Sequence, residues 1–237
     1  MNSKYLYLSI DLLAISVPFL FSFYSKAPFY KKWKNFGIAT LITAVIFLIW
    51  DEIFTRMGIW GFNPDYLTGI YIFSLPIEEI LFFFCIPYAC VFSYFALNHL
   101  VEKDHLFPHQ ELISSALIIL MLIFGMYHMD KWYTCVTFIS LGLLLAYQML
   151  KIRPRYMGRF YFAFMFILIP FLIVNGILTG SFIENEVVWY NNNANLGIRL
   201  GTIPVEDIFY AMLMLLLNIG IFEWLEDWDY YKKKISP

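Results

Sequence analysis

Two short motifs place pairs of acidic residues at the start of strongly apolar segments. The stretch LPIEEILFFF carries Glu78 and Glu79, and the stretch IPVEDIFYAM carries Glu206 and Asp207. Ionisable side chains are costly at membrane depth and are usually functional there. Two carboxyl groups crowded together in a medium of low dielectric constant cannot both ionise easily, so one of them keeps its proton. The four acids are therefore candidate catalytic residues for a reaction that begins with proton donation.

Helix capping is the alternative explanation for these acids. A proline suits the first turn of a helix, where its missing N–H group costs nothing, and Pro76 and Pro204 each precede an acid pair by one apolar residue. Acids at these positions lie near the positive end of the helix dipole. A single motif would fit a cap as well as a functional site. The duplication, together with further acids predicted at the same depth, favours the functional interpretation.

Five polar residues are expected to support the motif acids. Asp51 and Asn175 lie roughly a turn or two before the predicted outer ends of their helices, and Asp11 lies at similar depth in the first apolar segment. Asn63 and Asn191 occupy matching positions upstream of the two motifs. The acids and the Asn175 amide are thus predicted to form one layer in the outer part of the membrane.

Aromatic side chains next to the motifs could interact with a cation. Phe82, Phe83, Phe209 and Tyr210 follow the acids on the same helices, and the face of an aromatic ring attracts a cation without trapping it as a nucleophile would. Packing between helices is the alternative role for these four rings.

The geometry of a helix predicts that only one acid of each motif faces a cleft between helices. Adjacent residues point about 100° apart, so Glu78 and Glu79 cannot share one face. We expect Glu78 and Glu206 to face the cleft, and the other acids to position them or to reach Asp51 and Asn175. Which acid donates the proton stays open.

The composition indicates an integral membrane protein. Of the 237 residues, 61% are hydrophobic and 14% are charged, whereas a soluble domain is about 45–50% apolar and about 25% charged. A net charge of −2 without a basic stripe argues against nucleic-acid binding. Cys85, Cys90 and Cys135 lie in apolar runs and have no partner at ligand spacing, so no metal site is predicted. The chain also carries no G-x-G-x-x-G motif for flavin or nicotinamide, so we expect no cofactor.

Seven apolar segments are predicted to be membrane-spanning helices, because each approaches the length of about 20 residues that a span requires. They are residues Tyr5–Phe23, Phe36–Thr55, Leu75–Leu97, Leu112–Tyr127, Trp132–Leu150, Phe160–Leu178 and Ile203–Leu225. With an outside N-terminus, the inner side holds twelve of the sixteen Lys and Arg residues, including Arg153 and Lys232 to Lys234. This asymmetry predicts a cytoplasmic C-terminus in a multi-pass protein, expected in the bacterial cytoplasmic membrane.

The two motifs belong to a longer internal repeat. A shift of 128 residues aligns Phe62 with Tyr190, Asn63 with Asn191, Gly69 with Gly197, Pro76 with Pro204 and both acid pairs. Upstream, DEIFT at Asp51 aligns with NGILT at Asn175. The predicted fold is therefore all-α, with two parallel three-helix repeats and a linker helix (3+1+3). The predicted units are residues 1–105, 106–130 and 131–237, and the site is expected between the halves.

The segments around the motifs resemble a known family. WDEIFTRMGIWGFNPDYLTGIYIFSLPIEEILFF and VNGILTGSFIENEVVWYNNNANLGIRLGTIPVEDIFY are similar to the two halves of the flavin-independent membrane lycopene cyclases. The resemblance implies a single-chain lycopene β-cyclase that converts lycopene to γ-carotene and then β-carotene, without net redox. It implies that Glu78, Glu79, Glu206 and Asp207 are needed for activity. The implied partners are lycopene, the lipid bilayer and other carotenoid enzymes.

A membrane transporter of a small solute is the alternative function. Such a protein can share the topology of two three-helix repeats, but its site usually lies nearer the membrane midplane. The acids here are offset toward one side. Whether one or both ends of the substrate are cyclised, the ring type, the acceptance of longer carotenoids and the oligomeric state stay open.

Overall fold

The computed structural model describes residues 3–152 and 154–235, and it describes side chains between residue 4 and residue 230 with the exception of residue 153. Arg153 and the side chains of Lys232 to Lys234, which contribute to the predicted charge asymmetry, lie outside the described residues.

Seven α-helices dominate the described chain, of which 72% is helical. Their bounds are α1 Leu6–Phe21, α2 Trp33–Arg56, α3 Ile77–Leu100, α4 Gln110–Tyr127, α5 Trp132–Tyr147, α6 Met157–Leu178 and α7 Val205–Ile235. Short 3-10 turns occur at Ser3–Tyr5, Phe29–Lys32, Pro64–Tyr66 and Phe107–His109, and one π-helical turn occurs at Gln148–Ile152. The predicted ends differ by at most three residues except at the C-terminus, where α7 continues past the predicted Leu225. Its last turns are charged, so apolar length alone could not reveal them.

Six helical segments of the described chain, those that contain α2 to α7, are long and apolar enough to cross a membrane. The exception is α1, which has 16 residues. At about 1.5 Å per residue it extends about 24 Å, less than a hydrocarbon core of about 30 Å. The apolar helices are those of a membrane protein, and the seventh span stays a prediction.

Three short antiparallel strand pairs depart from the all-α prediction. The strands are β1 Trp60–Phe62, β2 Tyr71–Ile72, β3 Leu75–Pro76, β4 Val188–Tyr190, β5 Arg199–Leu200 and β6 Ile203–Pro204. β1 pairs with β4, β2 with β3, and β5 with β6. All six lie in the loops before α3 and α7, where backbone groups outside the helices need hydrogen-bond partners. Strands of two or three residues are too short to produce a recognisable sequence pattern.

The β1–β4 pair joins the two halves at corresponding positions. Gly61 lies opposite Trp189, and the 128-residue shift relates these two residues. A Cβ atom on Gly61 would lie 2.4 Å from the Trp189 ring, so any side chain there would displace the ring. Residues at corresponding positions of the two loops are therefore paired with each other in β1 and β4.

Both loops return to the start of the following helix in the same way. The Ile77 N–H group donates to the Ile70 carbonyl at 2.9 Å, and the Val205 N–H group donates to the Ile198 carbonyl at 3.0 Å. Pro76 is extended and directly precedes α3, so it does not occupy the first helical turn as predicted. The acids consequently occupy the second and third positions of each helix.

Helix packing brings the two motif-bearing helix starts together. α1 packs against α3 and α5 packs against α7, while contacts between the halves join α2 with α7 and α3 with α6. α4 packs mainly against α5. We call the end of the bundle at which α3 and α7 begin the motif end, and the end at which they finish the opposite end.

Candidate active site

A cavity lies between the two halves at the motif end. Its enclosed volume is about 70 Å³, and the space between the lining residues reaches about 630 Å³ when the part open to the surface is included. Its polar lining consists of Tyr7, Asp51, Glu79, Tyr133, Asn175, Tyr190, Asp207 and Tyr210. Its other walls consist of Trp60, Phe62, Phe82, Ile86, Phe171, Leu178, Val188, Ala211 and Met214. The cavity is therefore an apolar space with a cluster of carboxyl and phenol groups.

Glu79 is the acid that α3 contributes to the cavity. The Tyr7 hydroxyl of α1 donates a hydrogen bond to Glu79 Oε2 at 2.5 Å. Asp51 of α2 lines the same cavity and accepts a hydrogen bond from the indole N–H group of Trp60. The second oxygen of Asp51 is buried without a hydrogen-bond partner among the described residues.

Asp207 is the acid that α7 contributes to the cavity. The Tyr133 hydroxyl of α5 donates to Asp207 Oδ1 at 2.5 Å. On the other oxygen, the Asn175 amide of α6 donates at 2.7 Å and the Tyr190 hydroxyl donates at 3.0 Å. Burial, with the negative charge of Asp207 next in importance, raises the pKa of Tyr190 well above its usual value, so this phenol keeps its proton and acts as a donor.

The expectation that Glu78 and Glu206 face the cleft is wrong. Both are fully buried, and each carboxylate turns toward the loop before its own helix. The Thr68 N–H group donates to Glu78 Oε1 at 2.7 Å, and the Leu196 N–H group donates to Glu206 Oε1 at 2.8 Å. These loop amides hold the first acid of each motif, and the second acid, about 100° further around the helix, faces the cavity instead.

The polar residues predicted as support have different positions. Asp51 and Asn175 both line the cavity. Asp11 is fully buried and neither of its oxygens has a partner among the described residues, but it is not part of the cavity lining. Asn63 and Asn191 cap their own turns, because each side chain accepts the N–H group two residues later. The prediction that the two asparagines belong to the site is therefore not supported by their contacts.

Of the four aromatic residues predicted next to the motifs, two line the cavity and two pack against other helices. Phe82 and Tyr210 correspond through the 128-residue shift, and both line the cavity. Phe83 packs against Phe47 with 6.3 Å between ring centroids. Phe209 packs against Phe138 at 5.0 Å. The packing alternative therefore describes the second pair.

Apart from Asn175, the hydrogen-bond donors of the site were not among the residues predicted from the sequence. Tyr7 and Tyr133 lie near the starts of α1 and α5, which are corresponding helices, and both donate to cavity acids. Aligning these two helix starts would have paired the tyrosines. Trp60 and Tyr190 lie in the loops, where only the contact between β1 and β4 brings them to the cavity.

Basic side chains do not contact the cavity acids within the described part of the chain. The ion pairs found there join Lys32 with Glu226, and Arg56 with Glu52. Neither pair belongs to the cavity. The hydrogen bonds that Glu79, Asp51 and Asp207 accept from side chains in the described part of the chain all come from neutral hydroxyl, amide and indole groups, and such a site can hold or release protons without breaking an ion pair.

The apolar helices and the buried acids define a membrane protein with an acid-lined cavity between two similar halves. The family model described as lycopene cyclase matches residues 4–97 and 130–225, which is most of the chain and includes both halves. The chain belongs to the lycopene cyclase family.

A bifunctional lycopene cyclase/phytoene synthase from Aspergillus niger is 31% identical over 105 residues. The match covers 41% of this chain and 18% of the fungal protein, so the chain corresponds to less than a fifth of that relative's length. No solved structure matches the chain.

Proposed function

We propose that this protein is a lycopene β-cyclase, which closes the acyclic ends of lycopene to β-ionone rings and forms γ-carotene and then β-carotene. Family membership supports a carotenoid substrate. The observation that carries the proposal is the cavity in which Glu79 and Asp207, from corresponding positions of the two halves, line one apolar space.

The proposed reaction is an isomerisation in three steps. A carboxylic acid protonates the terminal double bond, so an O–H bond breaks and a C–H bond forms, leaving a tertiary carbocation. The neighbouring double bond attacks this cation and closes the ring. A carboxylate then removes a proton from a ring carbon, and the electron pair of that C–H bond becomes the ring double bond. Atoms and electrons balance without an oxidant or reductant.

The lining of the cavity suits a carbocation. The rings of Trp60, Phe82 and Tyr210 can present electron-rich faces to a cation. Carboxylates fixed by hydrogen bonds supply negative charge where positive charge develops, and a preorganised charge of this kind is most effective where water is excluded. We therefore assign Glu79 and Asp207 to the chemical steps and Glu78 and Glu206 to the positions of the two loops.

The apolar walls suit the remainder of a long polyene. Ile86, Phe171 and Met214 line the cavity at positions further along their helices from the motif end. A carotenoid has a length comparable to the hydrocarbon core of about 30 Å. We propose that one end of the polyene enters the acid cavity while the rest extends along the membrane interior.

The position of the acids favours a cyclase over a transporter. Glu79 and Asp207 occupy the third residue of α3 and α7, respectively. A transporter site usually lies near the membrane midplane and is formed by broken helices. An enzyme that draws protons from water gains from a site near one membrane surface, because no long proton relay is needed.

We also propose seven spans arranged as 3+1+3, with units at residues 1–105, 106–130 and 131–237 and an outside N-terminus in a bacterial cytoplasmic membrane. A displacement of four spans gives the two halves the same direction in the membrane, and the pairing of Gly61 with Trp189 joins corresponding points of the two halves; both support this arrangement. A reporter inserted near Asn192 should be external, and one fused after Pro237, which lies outside the described residues, should be cytoplasmic. Both reporters on one side would refute the seven-span topology.

Expression in cells that accumulate lycopene tests the proposed activity directly. Chromatography of the pigments should show γ-carotene and β-carotene in cells with the natural chain. A variant with Glu79→Gln and Asp207→Asn together should accumulate in the membrane and leave lycopene unchanged. If the natural chain accumulates equally and forms no cyclic pigment, the proposed function is wrong.

A further inference from the structure

The two cavity acids occupy corresponding positions but have different surroundings. Asp207 accepts three hydrogen bonds, from Tyr133 at 2.5 Å, Asn175 at 2.7 Å and Tyr190 at 3.0 Å. Glu79 accepts one side-chain hydrogen bond among the described residues, from Tyr7 at 2.5 Å. The two halves are therefore not chemically equivalent at the cavity.

The two cavity acids also have different neighbours on the helix that precedes each of them. Beside Asp207 this residue is Asn175, whose amide donates a hydrogen bond. At the corresponding position of the first half, Asp51 lines the same cavity as Glu79. A carboxylate at this position has no proton to donate unless it is itself protonated.

These surroundings favour opposite protonation states. A carboxylate that accepts two or three hydrogen bonds is stabilised in its charged form. Two carboxyl groups that share a buried site with few donors cannot both be charged, so they hold at least one proton between them. The free oxygen of Asp51, which lacks a partner among the described residues, is a position at which such a proton can reside.

We propose that Glu79, which shares a proton with Asp51, donates that proton to the substrate, and that Asp207 is the anion that stabilises the carbocation and removes the ring proton. This assignment rests on the proposed cyclase function. Tyr133, Asn175 and Tyr190 are positioning residues that keep Asp207 charged, and Asp51 is a positioning residue that keeps Glu79 protonated.

The assignment fixes the path of each proton. The Glu79 O–H bond breaks as a C–H bond forms at the end of the polyene, and Glu79 becomes a carboxylate. After ring closure the bond between a ring carbon and its hydrogen breaks, and Asp207 becomes a carboxylic acid. One proton then returns from Asp207 to the Glu79–Asp51 pair, directly or through water, which restores the starting state.

Exchange of hydrogen in heavy water separates the two roles. Asp207→Asn removes the base and weakens the stabilisation of the carbocation, but Glu79 can still protonate the terminal double bond and take a proton back from the same carbon. Lycopene recovered after incubation should therefore contain deuterium at its ends although little ring forms. If Glu79→Gln removes the acid, recovered lycopene should contain no deuterium above the level seen without protein. Mass spectrometry of purified variants in lipid vesicles measures both.

The outcomes separate this assignment from the proposed function. Failure of the natural chain to cyclise lycopene would refute the function itself. Normal cyclisation by the natural chain, combined with exchange in Glu79→Gln but not in Asp207→Asn, would reverse the two roles and refute the assignment. Exchange in both variants, or in neither while both accumulate in the membrane and bind lycopene as judged by its absorption spectrum, would also refute it.

A substitution at Asp51 can reproduce in the first half the neighbour that Asp207 has in the second half. Asp51→Asn gives Glu79 the same neighbour that Asp207 has in Asn175, and it preserves the size of the side chain. We expect loss of both cyclisation and deuterium exchange, because an amide donor stabilises the charged form of Glu79. Asp51→Glu keeps the shared proton and should retain exchange. Exchange at the natural rate in Asp51→Asn would show that Glu79 needs no partner and would overturn that part of the assignment.

Discussion

The two ends of α7 hold their acids in opposite ways. At the motif end, Asp207 accepts hydrogen bonds from Tyr133, Asn175 and Tyr190, which are all neutral. Near the opposite end, Glu226 forms an ion pair with Lys32 and accepts a hydrogen bond from Asn35 at 2.7 Å.

This difference distinguishes an acid that can transfer a proton from an acid that only connects two helices. A carboxylate paired with a cation is held in its charged form, and transferring a proton to it would break the pair. A carboxylate held by neutral donors in an apolar cavity can gain a proton and keep its partners, because hydroxyl groups can rotate to accept as well as donate. The acids of the cavity therefore suit proton transfer, whereas Glu226 connects α7 with the segment at the start of α2.

Amide substitutions at the two ends should produce the largest contrast. Glu79→Gln and Asp207→Asn each remove a group that we propose transfers a proton, and groups that do so contribute about 10²–10⁴-fold to rates. We expect initial rates of cyclisation in lipid vesicles to fall by about that factor. Glu226→Gln should leave the rate unchanged. Equal losses at both ends would mean that the acids act only through the stability of the helix bundle.

Removing the loop-holding carboxylates should have a smaller effect. Glu78→Ala and Glu206→Ala leave the partly buried N–H groups of Thr68 and Leu196 without the carboxylate that accepts them. An unsatisfied buried donor costs about 1–3 kcal/mol, so the midpoint of thermal unfolding in detergent should fall in each variant.

The glutamine variants at the same positions provide the control, because an amide oxygen still accepts the loop N–H group. Glu78→Gln and Glu206→Gln should retain most of the thermal stability and a measurable rate of cyclisation. A glutamine variant that is stable but fully inactive would show that Glu78 or Glu206 takes part in the chemistry, as the motif alone predicts.

The helices were predictable from sequence because the length and polarity of a span are local properties. The orientation of the motif acids was not. Glu78 and Glu79 are neighbours with the same side chain, and the choice between them depends on a backbone N–H group at Thr68 that the folded loop brings back. Amide groups carry no sequence signature, so the first acid appeared as suitable for the cleft as the second.

Most of the hydrogen-bond donors around the site could not be predicted from the sequence either. Tyr7 contacts Glu79 because α1 packs against α3, and no short motif connects residues so far apart in the chain. The repeat predicted one location for Asp51 and Asn175, and both residues line the cavity. It also concealed the chemical difference between them, since alignment treats a carboxylate and an amide at equivalent positions as the same feature.

Removing a single neutral donor should have an intermediate effect on the rate. Tyr133→Phe removes the hydroxyl that lies 2.5 Å from Asp207, but Asn175 and Tyr190 still stabilise this carboxylate. A hydrogen bond to a charged group is worth about 1.5–3 kcal/mol, and the remaining donors offset part of the loss, so we expect a rate about tenfold lower. Tyr161→Phe is the matched control, because its hydroxyl contacts Ser114 at 2.7 Å outside the cavity. A similar loss in both variants would contradict a specific role for the Tyr133 hydroxyl.

The smallest effect is expected where the ion pair is cut. The side chains of Lys32 and Glu226 are 40% and 18% exposed, and pairs that reach solvent typically contribute only about 0–1 kcal/mol. Lys32→Met, Glu226→Gln and the double variant should therefore unfold within about 1 kcal/mol of the natural chain, with an unchanged rate of cyclisation. Comparing the double variant with the two single variants isolates the energy of the ion pair. A glutamine at position 226 can still accept the hydrogen bond from Asn35, so this contact need not be lost. Any of these variants that folds normally but loses more than half of its rate would show that the opposite end of α7 affects the cavity acids. The contrast between the two ends would then reflect one coupled helix and not two independent sets of acids.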